Sequence, residues 1–352
     1  MLGIELTPEH PVSRLGELGA RAEAAGFDTI FCSSHYNNRD PFVALDRIAR
    51  QTDSARVGPG VANPYDTHPL TLAGKVATLD ESSGGRAVFG IGPGDPSTLR
   101  NLGVEREQGL SATIQAFKDA QRVWDGERVS REGVHTAADA GLNFEPPQGA
   151  DIPVYVGGEG PHMCRMAGKH ADGLLFNGSH PDDLAWARDR VEEGKSDRPD
   201  ERGEFELAAY ASVSVAADAD AARAAARPPV AFIASGAAPP VLQRHGIDPG
   251  VADAIGDSIA AGNFEAAFEQ VTEPMVDAFC IAGTPEAVPP PAGGGGDHRA
   301  HLGGGAPLRP RLGAGSEPTW ETRWGVLVLR GGGGGGADRL EDDRDGPRAR
   351  RD

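Results

Sequence analysis

Glu5 is the first residue whose setting points to chemistry. It sits in the apolar run 2–6 (LGIEL), where an ionised carboxylate is costly unless it is paired. Either nearby arginines or backbone amides satisfy it, or desolvation keeps it protonated and it serves as an acid. Asp95, closing Gly92-Pro93-Gly94-Asp95, poses the same alternative: a second acid, or the cap of the segment that follows. His35 opens His35-Tyr36-Asn37-Asn38 and is either a site residue or a satisfied histidine. Glycine allows the backbone to approach a planar ligand or a phosphate closely. Gly60-Val61-Ala62-Asn63 and Gly157-Gly158-Glu159-Gly160 are the two such stretches of most interest. The second opens a helix, so its free amides suit a phosphate, although an ordinary tight turn looks the same. Asn177-Gly178-Ser179 ends another apolar run. His135, His162, His180 and His245 show no ligand spacing, and Cys32, Cys164 and Cys280 lie far apart. No metal site and no disulfide framework are therefore expected. The absence of G-x-S-x-G argues against a Ser–His–Asp hydrolase.

These residues need a scaffold that brings them together, and the chain supplies a regular one. Apolar runs at 2–6, 28–32, 56–62, 86–91, 153–156, 173–177 and 207–215 alternate with amphipathic stretches at 11–25, 40–52, 69–82, 107–125, 160–169, 181–196 and across 218–272. Strands separated by helices predict a parallel sheet. The first strand lacks a following G-x-G-x-x-G turn, which speaks against a dinucleotide-binding fold. A (β/α)8 TIM barrel fits better, and it collects chemistry at the carboxyl ends of its strands. Every candidate above falls at such an end.

The eighth strand would fall where the composition changes. Residues 1–288 read as the barrel domain. Residues 289–352 hold three glycine runs and seven prolines and predict an irregular or disordered tail. A natural Gly-rich tail and an out-of-frame stretch of GC-rich codons both account for it. Within it only 324–330 (WGVLVLR) has strand character. Segment 289–320 is expected to be irregular, and 326–329 to be a poor substitute strand or unpaired. The eighth strand is thus missing or replaced.

Charge narrows the partners. The 352 residues carry 34 basic and 52 acidic side chains, a net of −18, which repels nucleic acid and anionic lipid. No run of 18 apolar residues is present to span a membrane, and no export signal is evident, so a cytoplasmic protein is expected. Only Lys75, Lys118, Lys169 and Lys195 are lysines. That bias suits a halophilic protein, and a genome rich in arginine codons produces it too.

Together GIEL, HYNN at 35–38, GPGVANPY at 58–65, ATLDESSGGRAVFGIGPGD at 77–95, VAFIASGAAPPVLQRHG at 230–246 and AFCIAGTPE at 278–286 closely resemble the coenzyme F420-dependent methylenetetrahydromethanopterin reductases. These belong to the bacterial-luciferase-like superfamily. GIGPGD and GPGVxNPY are specific to this branch, GTPE only to the superfamily. The resemblance implies a luciferase-like barrel binding a 5-deazaflavin, with a non-prolyl cis peptide at Gly60-Val61 against the ring. It implies His35, Gly60, Val61, Ala62, Asn63, Gly157, Gly158, Glu159 and Asn177 as cofactor contacts. The implied reaction is hydride transfer to the N5-iminium form of a methylenetetrahydropterin, with tetrahydrofolate as a possible pterin, while an acid protonates N10. Glu5 is the first candidate for that acid and Asp95 the second. A homo-oligomer is expected. Two departures stand out: Ser34 replaces the acid usual before the histidine of HYNN, and the usual GSP-type segment is not recognisable after Val288. Two alternatives remain: another luciferase-like F420- or FMN-dependent oxidoreductase, such as an alcohol dehydrogenase or monooxygenase, and a non-catalytic truncated barrel.

Overall fold

The computed structural model describes residues 2–287 and 324–330. The expected alternation is present: β1 (Leu2–Glu5), α1 (Val12–Ala24), β2 (Thr29–Cys32), α2 (Pro41–Ala49), β3 (Arg56–Pro59), α3 (Pro69–Ser83) and β4 (Phe89–Ile91). A short α4 (Pro96–Asn101) and the long α5 (Gly109–Trp124) follow. The polar link then forms a small hairpin, β5 (Val129–Arg131) with β6 (Ala137–Ala140), which the sequence pattern does not predict. The alternation resumes with β7 (Val154–Gly157), α6 (Pro161–His170), β8 (Gly173–Phe176), α7 (Pro181–Lys195) and β9 (Glu206–Val215). Five helices succeed β9: α8 (Ala219–Gly236), α9 (Pro239–Arg244), α10 (Pro249–Ala260), α11 (Phe264–Glu269) and α12 (Glu273–Phe279). They lead to β10 (Ile281–Gly283) and, beyond the undescribed stretch, β11 (Trp324–Arg330).

Local chemistry sets the helix starts. Proline occupies the first turn of α2, α3, α4, α6, α7, α9 and α10, where its missing N–H costs nothing. Asp40, Asp95, Asp218 and Asp248 cap α2, α4, α8 and α10 with a side-chain oxygen. Gly84 ends α3 in the left-handed region, a conformation that costs an L side chain free energy.

The main sheet runs β3-β2-β1-β11-β9-β8-β7-β4. β1 to β3 are mutually parallel, as are β4, β7, β8 and β9. Between β3 and β4 the ladder is reduced to two isolated parallel bridges, Val57 with Ala87 and Ala62 with Ile91. This is the expected luciferase-like (β/α) barrel arrangement, with the eighth position replaced. β11 fills that position: Leu2 to Glu5 pair with Leu329 to Val326, and Ala208 to Ser214 pair with Arg330 to Trp324. The alternative in which 326–329 stays unpaired is therefore overturned, because the open edges of β1 and β9 both offer backbone partners to an apolar strand. β11 nevertheless runs antiparallel to both neighbours. β10 pairs parallel with the far end of β9. The expectation for 289–320 lies outside the described residues.

Three cores follow from this layering. Apolar faces of α1 to α7 pack on the outside of the strands around Leu15, Leu45, Val76, Phe117 and Trp124. Helices α8 to α12 build their own core around Val230, Leu242, Ile255, Met275 and Phe279. A smaller inner layer combines Phe31, Val88, Tyr155, Leu175 and Ala208 with Val61 and Tyr210.

Candidate active site

At the carboxyl end of β1, Glu5 accepts a hydrogen bond at Oε2 from the Tyr210 hydroxyl, 2.6 Å away, and at Oε1 from Thr7 Oγ1 at 3.3 Å. Burial pushes its carboxyl above the ordinary carboxylate range, against the Tyr210 and Ser33 hydroxyls and the charge of His35. Neither of the simple ways to satisfy the carboxylate is used: no arginine acts on it and no backbone amide donates to it among the described residues. What remains is a buried carboxyl served by hydroxyl groups, with its proton affinity raised above the ordinary carboxylate range by burial. Tyr210 on β9 was not among the sequence candidates. The only signal for it was a single tyrosine in the small-residue run AAYAS. Burial and the neighbouring Glu5 charge push its phenol well above its ordinary value.

Beside this pair lies the Gly60-Val61 peptide, which is cis as the resemblance implies. The Val61 side chain rests on three glycines. A Cβ at Gly92 would stand 2.9 Å from Val61 Cγ2, one at Gly157 3.0 Å, and one at Gly90 3.3 Å from Cγ1. The ends of β4 and β7 therefore have to be side-chain free there, and the half-buried Val61 side chain packs directly onto their backbone. Ala62 contributes backbone rather than side chain: its N–H donates to Gly90 O and its carbonyl accepts from Gly92 N–H, both at 2.9 Å. The Asn63 side chain is used by its own loop, accepting from Tyr65 and Asp66 amides at 3.0 Å and donating to Asp66 Oδ2 at 2.7 Å.

The lining continues along the ends of β7 and β8. Asn177 Nδ2 donates to Glu159 Oε1 at 2.9 Å, tying the two strand ends together. Burial raises the Glu159 carboxyl, the Asn177 bond lowers it, and the nearby Asp183 charge raises it further. Helix α6 starts after Gly160 with no side-chain cap, and a Cβ at Gly160 would meet nothing within 4 Å. Pro161 brings no N–H to that turn, and the His162 and Met163 amides that follow receive no side-chain cap, which suits an anionic group. A Cβ at Gly158 would strike Met163 Cγ at 2.3 Å, so that glycine serves packing. His35 is exposed on the loop after β2.

Asp95 takes its other reading. Its Oδ1 accepts from Thr98 N–H at 2.7 Å and caps α4 on an exposed surface. His180 and His245, far apart in sequence, come together as an edge-to-face pair with ring centroids 4.8 Å apart. The buried Asp183 holds His245 in place, lying 2.7 Å from its Nε2 and accepting from Arg244 as well. No group of potential metal ligands occurs among the described residues.

Residues 2–289 match the luciferase-like monooxygenase family. The 5,10-methylenetetrahydromethanopterin reductase of Methanolobus tindarius is 39% identical over 286 residues, covering 81% of this chain and 87% of that protein. The one from Archaeoglobus fulgidus is 38% identical over 291 residues, with the same coverage. Among solved structures, the coenzyme F420-dependent tetrahydromethanopterin reductase from Methanopyrus kandleri superposes with a TM-score of 0.75 at 36% identity, covering 81% of this chain and 87% of that one. An F420-dependent secondary alcohol dehydrogenase, with a TM-score of 0.67 at 20% identity, shares the fold.

Proposed function

The chain belongs to the luciferase-like monooxygenase family, among its 5,10-methylenetetrahydromethanopterin reductases, and from that premise we propose that it transfers a hydride from reduced coenzyme F420 to the methylene group of a methylenetetrahydropterin, yielding the methyl form. The observation that carries the reading is Glu5, a proton-holding carboxyl at a strand end beside a floor cleared of side chains. A bound 5-deazaflavin supplies a two-electron hydride donor. The residues present fit such a group: Val61 with Gly92 and Gly157 offer a flat bed for a planar ring, and the uncapped start of α6 offers amides to a phosphate.

The protein's own part is positional and acid–base. Gly60, Val61 and Ala62 hold the ring side of the cleft, with His35 and Asn63 at its rim. Gly157 would lie beneath Val61 in that bed, and Gly158, Glu159 and Asn177 would continue the lining along the ends of β7 and β8. By holding donor and acceptor within reach, these residues would lower the entropic part of the barrier. Glu5 delivers its proton to the pterin N10 as the five-membered ring opens, and Tyr210 holds the carboxyl in place for it. Asp95, occupied as a cap, drops to an outer role.

An acidic, lysine-poor cytoplasm-type composition and self-association accompany this reading as expectations. Among the described residues no helix is long and apolar enough to cross a membrane. The test is a purified-protein assay following oxidation of reduced F420 with methylenetetrahydromethanopterin and with methylenetetrahydrofolate. Turnover with either supports the proposal and identifies the pterin. Binding of FMN in place of F420, with no pterin-dependent oxidation, would sink it.

A further inference from the structure

Tyr210 has one hydroxyl proton and two acceptors in reach. Glu5 Oε2 lies 2.6 Å from its oxygen and the Gly60 carbonyl oxygen 3.1 Å. The approach to Gly60 is close enough that a Cβ there would stand 2.6 Å from the hydroxyl and 2.8 Å from Phe31 Cβ. An ionised carboxylate only accepts hydrogen bonds, whereas a protonated carboxyl also donates. With Glu5 ionised, the charge-assisted bond claims the Tyr210 proton and leaves the Gly60 carbonyl without it. With Glu5 protonated, Glu5 donates to Tyr210 Oη, and Tyr210 donates onward to Gly60 O.

We infer that Tyr210 is a positioning residue that passes the protonation state of Glu5 to the carbonyl of Gly60. The peptide under Val61 then gains a hydrogen bond when the acid is loaded and loses it when the proton is delivered. Gly60 is otherwise anchored by its N–H, which donates to Cys32 O at 2.8 Å, so the carbonyl is the free end of a fixed unit. The groups that face Glu5 are few. Tyr210 comes from β9. Cys32 comes from β2, its buried thiol held protonated by burial and by the Glu5 charge. His35 comes from the following loop, with the Ser33 and Thr7 hydroxyls nearby. Val326, paired with Glu5 across β11, has no ionisable group.

The inference needs no bound ligand, so its fate is separate from that of the proposed reaction. The experiment is a pH titration of isotopically labelled apoprotein by NMR, following the Glu5 carboxyl carbon and the Gly60 carbonyl carbon. In the native chain both should move with one shared inflection. In Tyr210→Phe, Glu5 should still titrate while the Gly60 inflection is lost. In Glu5→Gln, Gly60 should stay flat. A Gly60 signal that titrates undiminished in Tyr210→Phe would mean the charge acts through space, and the inference fails. A Gly60 signal that titrates in Glu5→Gln assigns the effect to His35 and also overturns it. So does a flat Gly60 in the native chain while Glu5 titrates.

Discussion

Two tyrosine–glutamate pairs point into the same sheet, and they differ by one cation. At the amino end of the strands, Tyr155 on β7 donates to Glu206 at the start of β9. Arg56 joins them, its Nη1 3.2 Å from the Tyr155 hydroxyl and its Nη2 3.9 Å from Glu206 Oε2. At the carboxyl end, Tyr210 donates to Glu5, and among the described residues the one cationic group acting on that carboxyl is the exposed His35. A carboxylate beside a guanidinium is a finished ion pair that fastens three strands. A carboxyl denied that partner keeps its proton and stays available for chemistry. The division agrees with the general rule that barrels place stability at one end and reactivity at the other.

The largest expected effect tests this directly. Glu5→Gln should lower hydride transfer by roughly 10²-fold or more, the usual worth of a general acid, with deazaflavin binding retained. Glu206→Gln should leave turnover near native. Equal losses in steady-state assays of the two variants would erase the distinction between the ends.

Next in size is the pH response. In the proposed reaction Glu5 acts in its protonated form, so turnover should fall as pH rises through its raised folded value. Stability follows the same sign. The folded state binds this proton more tightly than the unfolded chain, so stability is greatest below the ordinary carboxylate value and declines as pH climbs to the folded one. Chemical denaturation across pH should show that decline in the native chain and lose it in Glu5→Gln. An opposite slope at this site would mean that Glu5 is stabilised as an anion.

The lower pair should register in stability alone. Arg56→Met leaves Glu206 and Tyr155 without their cation at a partly exposed site, and about 1–3 kcal/mol of destabilisation is expected. Thermal unfolding measures it, and a catalytic loss larger than the stability loss would contradict the assignment. Deleting 324–330 should separate the pairs in another way. β11 lies between β1 and β9, and so between the strands that carry Glu5 and Tyr210, whereas Tyr155 and Glu206 are joined through β8. The upper pair should loosen first, seen as a loss of the Tyr210 contribution to the Glu5 titration while the Arg56 cluster keeps its spectroscopic signature.

Much of this was legible along the chain. Short apolar runs located the parallel strands, which are covered on both faces, and 3.6-residue periodicity located the helices, which bury one face. A glutamate inside an apolar run and glycines at successive strand ends marked the site for reasons of desolvation and close approach. Other features gave no such signal. The β5–β6 hairpin arises from a polar link. Asp183 draws Arg244 and His245 across from α9, sixty-odd positions away. Asp95 looked equally suited to acid or cap until α4 formed behind it.

The amino-acid sequence by itself determined the alternation of strands and helices and the family, and it pointed to the carboxyl proposed as the acid, since each depends on local pattern or on residue type. Only the tertiary structure decided which partners surround that carboxyl. Glu5 and Tyr210 are separated by 205 positions and meet because the strands that carry them lie on either side of β11. The direction of β11 was decided there as well. Its backbone groups find partners on β1 and β9 in either sense, and no period in WGVLVLR distinguishes a parallel strand from an antiparallel one.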